Sequence, residues 1–423
     1  MPDYPDIFRI RQTFERPVVG DIAAEVEAQL SSLSLGNKIQ PGQTVAITAG
    51  SRGIANIHLV VKGIVDHVKS LGGSPFIVPA MGSHGGGTPE GQQGIIEGYG
   101  ITEDFCGCPI MASMETIIVC EAAEGFPVHF DKHASEADHV IVCGRVKPHT
   151  NFFGDIQSGL MKMMLIGLGK HNGAKIYHRA IKDYEFGQIV RSVGREVLAK
   201  CSVVAGLAIV ENAYDETGKL QAVAPENFEE EEKELLALAR SWLPRLPFEQ
   251  IDLLLIDQIG KNISGTGFDT NVVGRKDGYH KSGPKEIPQT RLIGMRGLTE
   301  ETHGNGCGVG NVEFSLTRAI DQVDLKITRI NCLTGGEAAG AAIPIHYPTD
   351  REVLDSALPL IGLTDSGNAK LMWIQDTLHV SELECSVAYL DEAREKDNLE
   401  IIVEPRPLPL DENGMLPEVN SLG

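Results

Sequence analysis

The segment from Lys147 to His178 gathers reactive side chains in a stretch that is otherwise apolar and rich in glycine. It contains three histidines and four lysines, and Lys162 has leucines and methionines on both sides. Because a packed core excludes charges that are not paired, these groups indicate a reactive loop on a buried scaffold. A lysine in apolar surroundings favours its neutral, nucleophilic amine. The alternative is a lysine whose charged end reaches solvent.

Three more candidates, Arg52, His84 and His149, each follow a predicted buried strand. Ligands of open parallel sheets bind beyond the carboxyl ends of the strands, so these side chains are predicted to meet at one sheet edge. An arginine fork binds a carboxylate or phosphate. Two histidines on opposite sides of a bound carbon could alternately remove and return a proton near neutral pH, as a racemase requires. The alternative is three surface residues in tight turns.

The elements that position these residues alternate between strands and helices. Short apolar runs followed by amphipathic helices indicate parallel strands covered on both faces, and therefore a doubly wound α/β fold. The predicted strands of this part are 43–51, 74–81, 137–146 and 202–213, with helices at 54–70, from Pro89, and at 174–200.

A second α/β block follows an acidic helix at 227–243 and a proline-punctuated linker. Its predicted strands are 252–260, 291–298, 324–330 and 370–375. We therefore predict two doubly wound, Rossmann-like domains, residues 1–248 and 249–423, with a cleft between them. The last strand, 399–405, could complete either domain.

Composition narrows the class of protein. The net charge is −21 and no basic stripe is present, which argues against a nucleic-acid partner. The eight cysteines form no CxxC pair, so a zinc ribbon or iron–sulfur cluster is not indicated. We find no apolar leader and no stretch long enough to span a membrane, and expect a reduced, cytoplasmic protein without a membrane partner. The Gly-Ser-His-Gly-Gly-Gly turn is neither a dinucleotide fingerprint nor a P-loop.

From about residue 40 to residue 200 the chain resembles the nickel-dependent lactate racemase family, as a divergent homologue. The resemblance rests on Pro-His at His149 followed by two phenylalanines, and on Ser-Gly-x-x-Lys ending at Lys162. It also rests on His178, sixteen residues after that lysine, and on the earlier Ser-Arg at Arg52 and Ser-His at His84. These five positions recur in the family's order.

The resemblance implies a racemase or epimerase of a 2-hydroxy acid. It implies a nickel-pincer nucleotide, the mononucleotide of pyridinium-3,5-bisthiocarboxylic acid with a carbon–nickel bond, linked to Lys162. His178 would be the protein's nickel ligand, which suits a neutral imidazole. Arg52 would orient the substrate, and His84 and His149 would act as acid and base. A hydride would pass from the substrate to the cofactor and return to the other face, and the enzymes that build the cofactor would be partners.

Some residues depart from the family pattern. Leu160 and Met161 replace Gly-Arg beside the cofactor lysine, Ala49 replaces an aspartate, and two residues appear inserted after His149. We therefore expect a substrate other than simple lactate. Asn172 is expected to cap a helix that holds His178 in its first turns, and no role is assigned to His171.

The second block offers weaker candidates in two glycine-rich loops, 260–278 and 298–311. Their side chains could close over a substrate, or the loops could be simple turns. The candidates are Lys261, Asn262, His303 and Asn305.

Two other functions stay open at this point. One is a zinc-dependent hydrolase or lyase that uses His84, His149 and His178 as metal ligands. The other is a non-enzymatic nickel- or cofactor-binding protein, which needs only Lys162 and His178.

Overall fold

The computed structural model describes residues 4–276 and 280–422. The chain divides into a first unit, residues 16–242, and a second unit, residues 1–15 together with 243–423. The boundary thus follows Trp242, whereas the sequence predicted it after Phe248. The N-terminal residues also differ from the prediction, because their strand, Ile7–Gln12, pairs within the sheet of the second unit.

The described residues contain fifteen strands and fourteen α-helices. The strands are β1 (Ile7–Gln12), β2 (Thr44–Ala49), β3 (Ser74–Pro79), β4 (Thr116–Glu121), β5 (Pro127–Asp131), β6 (His139–Arg145), β7 (Val203–Glu211), β8 (Thr217–Val223), β9 (Gln250–Ile256), β10 (Gln289–Met295), β11 (Phe314–Leu316), β12 (Ile345–Tyr347), β13 (Leu371–Ile374), β14 (Glu382–Ser386) and β15 (Leu399–Arg406). The helices are α1 (Ile22–Ser32), α2 (Ile57–Ser70), α3 (Pro89–Gly98), α4 (Glu103–Cys106), α5 (Lys132–Glu136), α6 (Gly159–Lys162), α7 (Lys170–Ala180), α8 (Phe186–Lys200), α9 (Phe228–Trp242), α10 (Thr270–Val273), α11 (Thr317–Ile320), α12 (Leu325–Gly335), α13 (Asp350–Ala357) and α14 (Leu390–Glu395).

The first unit is built on a five-stranded sheet in the order β3-β2-β6-β7-β8. The first four strands in this order are parallel, and β8 is antiparallel to β7. The sheet has a separate apolar core on each face. Ala46 of β2 belongs to one core, whereas its neighbours Val45 and Ile47 belong to the other. This burial on both faces explains the continuous apolar runs and confirms the predicted α/β class.

Two predictions for the first unit need correction. The long helix expected over 174–200 is two helices, α7 and α8, because residues 182–185 are exposed and carry no apolar face across the gap. The hairpin of β4 and β5 was not predicted. All of β4 is exposed or half-buried, although its sequence has an apolar run at 117–120 that the sequence analysis did not assign to a strand.

The second unit contains an eight-stranded sheet in the order β12-β11-β10-β9-β13-β14-β1-β15. Its strands are parallel from β12 to β13 and antiparallel from β13 to β15. The final strand β15 therefore belongs to the second unit. The strand predicted at 324–330 is helix α12, which Asp324 caps by accepting hydrogen bonds from Lys326 N (2.8 Å) and Ile327 N (3.0 Å).

No helix among the described residues is both long enough and apolar enough to cross a membrane.

Candidate functional site

The carboxyl ends of the parallel strands in the first unit carry the residues that the sequence singled out. Arg52 follows β2, His84 follows β3, and His149 follows β6. These strands are adjacent in the sheet, in the order β3-β2-β6. The three side chains therefore start from neighbouring loops on one sheet edge, as predicted.

The loops of β2 and β3 are joined by a hydrogen bond between Ser51 Oγ and His84 Nδ1, which lie 2.5 Å apart. Gln92 fixes the same turn by donating from Nε2 to the carbonyl oxygens of Gly82 (2.9 Å) and His84 (3.3 Å). Residue His84 is followed by three glycines with φ between 65° and 68°. A Cβ at Gly85 would lie 2.5 Å from the carbonyl carbon of Gly91. The glycines are therefore required by the turn.

The loop of His149 is held by backbone hydrogen bonds to its own side chains. His149 N donates to Gln157 Oε1 (2.9 Å), and His149 Nδ1 accepts from Asn151 N (3.0 Å) and Phe152 N (3.2 Å). The imidazole stacks on Phe152 with ring centroids 4.1 Å apart. Phe152 in turn stacks on Phe186, also at 4.1 Å. The imidazole is therefore fixed in both position and rotation.

Lys162 lies at the end of the short helix α6, and the following residues, Met163–Gly167, form a π-helical turn. Such turns occur often at functional sites. The Lys162 ammonium nitrogen lies 5.3 Å from the centroid of the Phe152 ring, which connects it to the stack beneath His149. Burial, and then the nearby Arg52 cation, lower the pKa of Lys162 to about 7. A substantial fraction of Lys162 is thus a neutral amine at neutral pH.

A buried carboxyl group contacts the backbone of the segment that contains Lys162. Glu232 of α9 accepts a hydrogen bond from Met161 N (3.0 Å). A Cβ at Gly159 would lie 2.6 Å from this carboxyl group, so only glycine allows the approach. Burial raises the pKa of Glu232 to about 8, against the opposing effect of its backbone hydrogen bonds.

His178 is half-buried in the last turn of α7. The prediction placed it in the first turns of a helix capped by Asn172. Instead, α7 begins at Lys170, and Asn172 donates from Nδ2 to Thr116 Oγ1 (3.3 Å). Burial, and then the charges of Lys162 and Lys182, lower the pKa of His178. The imidazole is therefore held neutral, the form that binds a metal ion.

Arg52 differs from the other arginines at strand ends because it has no hydrogen bond or ion pair to any residue that the structure describes. Desolvation, and then the Arg145 cation, lower the pKa of Arg52, but its side chain is exposed to solvent and stays charged. Arg145 itself is paired with Glu211 and donates to Gly53 O (3.4 Å), next to Arg52. The sequence analysis did not select Arg145, although Arg145 ends strand β6 and the same strand-end argument applies to it.

The candidates of the second unit are bonded within their own loops. Lys261 Nζ donates to Gly265 O, and Asn262 Oδ1 accepts from Thr299 Oγ1 (2.6 Å). Asn305 Oδ1 accepts from Cys307 N (3.2 Å). His303 has a left-handed backbone, with φ of 48°. Residues 277 and 278 of the first loop lie outside the described residues.

The described part of the chain has no cluster of protein side chains that could hold a metal ion by itself. Within residues 4–276 and 280–422, no three histidine, cysteine, aspartate or glutamate side chains are grouped so that they could hold a metal ion. The triad of His84, His149 and His178 that a zinc hydrolase would need is therefore not formed.

The fold and the site define an α/β protein with arginine, lysine and histidine side chains at one edge of a parallel sheet. Residues 13–187 match the family model of the lactate racemase N-terminal domain. This part of the chain is therefore similar to the N-terminal domain of the lactate racemase family.

The whole fold is also similar to a solved structure, the lactate racemase apoprotein from Thermoanaerobacterium thermosaccharolyticum. The TM-score is 0.54 at 13% sequence identity, and the similarity covers 88% of this chain and 94% of that chain. At this identity the likeness shows the fold alone. None of the curated proteins matches the sequence.

Proposed function

We propose that the protein is an isomerase that racemises or epimerises a 2-hydroxy acid at the sheet edge of the first unit. The observation that carries the proposal is the environment of Arg52 and Lys162. Arg52 has no partner among the described residues, and the pKa of the neighbouring Lys162 is lowered to about 7. A guanidinium without an ion pair is suited to bind a carboxylate, and an amine that is partly neutral at neutral pH is suited to form a covalent bond.

The residues present fit the cofactor that the family resemblance implies. Lys162 would carry the covalent link to a nickel-pincer nucleotide, and the neutral imidazole of His178 would bind its nickel. A single imidazole would suffice, because the organic group would supply the other ligands. When bound, this group would supply hydride transfer. Its delivery would require maturation enzymes as partners.

The chain's own residues would bind and orient the substrate. Arg52 would hold the carboxylate, and His84 and His149 would contact the hydroxyl oxygen from the loops of β3 and β6. Leu160 and Met161 remove the cation that the family pattern has beside the lysine, whereas Arg145 adds one beside Arg52. We therefore propose a substrate other than simple lactate.

The test is a panel of enantiopure 2-hydroxy acids, with one and two carboxylates, followed by chiral chromatography. The protein is co-expressed with the maturation enzymes, and substrates deuterated at the 2-position are run beside reactions in deuterated water. We expect inversion with deuterium retained at the 2-position. Uptake of solvent deuterium there would indicate proton abstraction instead, and no inversion of any acid would contradict the proposal. A cofactor-carrying protein without enzymatic activity would bind the cofactor and nickel and invert nothing.

A further inference from the structure

Helix α12 buries an unexpected pair of side chains. Its buried residues are Thr328 and Cys332, which are four positions apart and therefore lie on one face. On the other faces, Ile330 is 59% and Leu333 is 70% exposed. Burial of apolar surface alone would turn the isoleucine and the leucine inward. The helix instead directs a hydroxyl and a thiol toward the loop that it packs against.

The loop on this face carries a second cysteine and is joined to α12 by hydrogen bonds. Gly306 N donates to Thr328 Oγ1 (2.9 Å), which holds the residue before Cys307 against the helix. Gly308 N, on the other side of Cys307, donates to Gly340 O (3.3 Å), in the turn after the helix. Cys307 is therefore held beside the carboxyl-terminal half of α12, where the buried thiol lies.

The thiol groups of Cys307 and Cys332 are close enough to hydrogen-bond with each other. Burial, and then the charge of the Cys307 thiolate and this hydrogen bond, raise the pKa of Cys332 to about 12. Cys307 is half-buried, and its Sγ also donates to Gly265 O (3.8 Å). One sulfur of the pair is therefore accessible to small molecules, and the other is covered.

We propose that Cys307 and Cys332 form a site of reversible oxidation, at which hydrogen peroxide converts the two thiols into a disulfide. The Cys307 thiolate attacks one peroxide oxygen, the O–O bond breaks, and the departing hydroxide takes a proton to become water. The Cys332 sulfur then attacks the sulfur of the sulfenic acid, an S–S bond forms, and the thiol proton leaves with the hydroxyl as a second water. The two sulfurs lose two electrons in total, and these reduce the peroxide.

The surroundings of the two thiols set the order of the steps. Peroxide reacts first with Cys307, because Cys332 is 2% exposed and its raised pKa keeps it protonated. The sulfenic acid is uncharged, so its formation removes the thiolate charge that helps to hold the Cys332 proton. The neighbouring thiol is then able to attack. Disulfides in a reducing compartment are transient, and a small dithiol restores both thiols by exchange.

The test maps the thiols that peroxide oxidises in the folded wild-type protein. Treated protein is unfolded in an alkylating reagent, reduced, and then labelled with a second reagent of different mass. We expect the protein to lose two of its eight thiols, at Cys307 and Cys332 joined to each other, and to regain both with dithiothreitol.

Cys120 is the matched control for this mapping. It is also half-buried, but its thiol donates to Glu196 Oε2 (3.4 Å), so we expect it to stay a free thiol. A disulfide between other cysteines, or no loss of thiols, would overturn the proposal. These results do not depend on the cofactor or on racemase activity, so the proposed function stands or falls separately.

Two serine variants distinguish a paired site from a single reactive thiol. Cys332→Ser removes the attacking partner, so Cys307 should remain a sulfenic acid, which dimedone traps at least about tenfold more than in the wild type. Cys307→Ser should leave Cys332 reduced, because burial protects it. Equal trapping in Cys332→Ser and wild type, or oxidation of Cys332 in Cys307→Ser, would overturn the pairing. If a variant fails to fold, the wild-type disulfide map decides alone.

Discussion

Arginines stand at the carboxyl ends of parallel strands in both units, but their surroundings differ. In the second unit, Arg296 follows β10 and is buried. Its guanidinium forms ion pairs with Asp257 and Asp350 and donates to Leu416 O (2.6 Å) and Pro417 O (2.9 Å). In the first unit, Arg52 follows β2, is exposed to solvent, and has no partner of this kind among the described residues.

The comparison shows what the strand-end argument can and cannot identify. It places charged residues at a sheet edge in both units, because loops follow strands in both. The contacts of each charged side chain have to be known before a structural arginine can be distinguished from one that binds a ligand. A buried charge is stable when it is paired, as Arg296 is. Arg52 is exposed, so solvent satisfies its charge in the absence of a ligand, and its guanidinium is accessible to a carboxylate.

The largest expected effect on stability is at Arg296. Arg296→Ala leaves the Asp257 and Asp350 carboxylates buried without their cation, so we expect a loss of about 3–5 kcal/mol in the free energy of unfolding. Urea unfolding followed by fluorescence is suitable, because Trp373 donates to Asp257 Oδ1 (2.6 Å) in the same network. Arg291→Ala, at a half-exposed arginine with only a 3.9 Å ion pair, is the control and should change little. A loss of less than about 1 kcal/mol in the free energy of unfolding of Arg296→Ala would contradict the structural role assigned to this arginine.

Arg52→Ala should give the opposite pattern. Its free energy of unfolding should stay within about 0.5 kcal/mol of wild type, because no contact is lost. Its kcat/KM for the 2-hydroxy acid should fall by roughly 10- to 150-fold, the loss expected for a hydrogen bond to a charged group. The kcat/KM of Arg52→Lys should lie between those of wild type and Arg52→Ala, since lysine keeps the charge without the planar fork. Unchanged kcat/KM in Arg52→Ala would show that Arg52 does not bind the substrate.

Glu232 extends the comparison to a buried carboxyl group that has backbone donors and, among the described residues, no cation beside it. Its pKa is raised from near 4.5 to about 8, so across this window the folded protein holds a proton that the unfolded chain releases. Stability should therefore fall as pH rises through the window, by up to about 1.4 kcal/mol per pH unit. Glu232→Gln should remove this slope in urea unfolding at several pH values, with Trp242 of the same helix as the probe. A slope that persists in the variant would assign it to another group.

The smallest expected effect is at the aromatic stack under His149. Phe152→Leu keeps an apolar side chain but loses both ring contacts, and should cost about 0.5–1.5 kcal/mol in the free energy of unfolding. Phe153→Leu is the matched control, because Phe153 is half exposed. Equal losses in the two variants would show that the stack contributes nothing specific.

The sequence predicted the parallel core of the first unit well. The apolar runs of β2, β3 and β6 are local signals, and the turns after them contain Arg52, His84 and His149 in adjacent positions. Lys162 and His178 were identified through the family spacing, and their low pKa values follow from burial.

Other features depend on contacts between distant residues and were not predictable. Strand β1 pairs with β14 and β15, which lie more than 350 residues further along the chain. Glu232 looks like one acid among several in an exposed helix, and only packing against Gly159 makes it buried. Helix α12 was mistaken for a strand because its apolar side chains were assumed to be buried, whereas Ile330 is 59% and Leu333 is 70% exposed.

The intact mass of protein co-expressed with the maturation enzymes tests the central claim most directly. The claim is that the sheet edge of the first unit holds a covalent group at Lys162. We predict added mass and bound nickel in the wild type, no added mass in Lys162→Ala, and undiminished added mass in the exposed control Lys175→Ala. A wild-type protein without added mass, or a Lys162→Ala variant that retains it, would contradict the account.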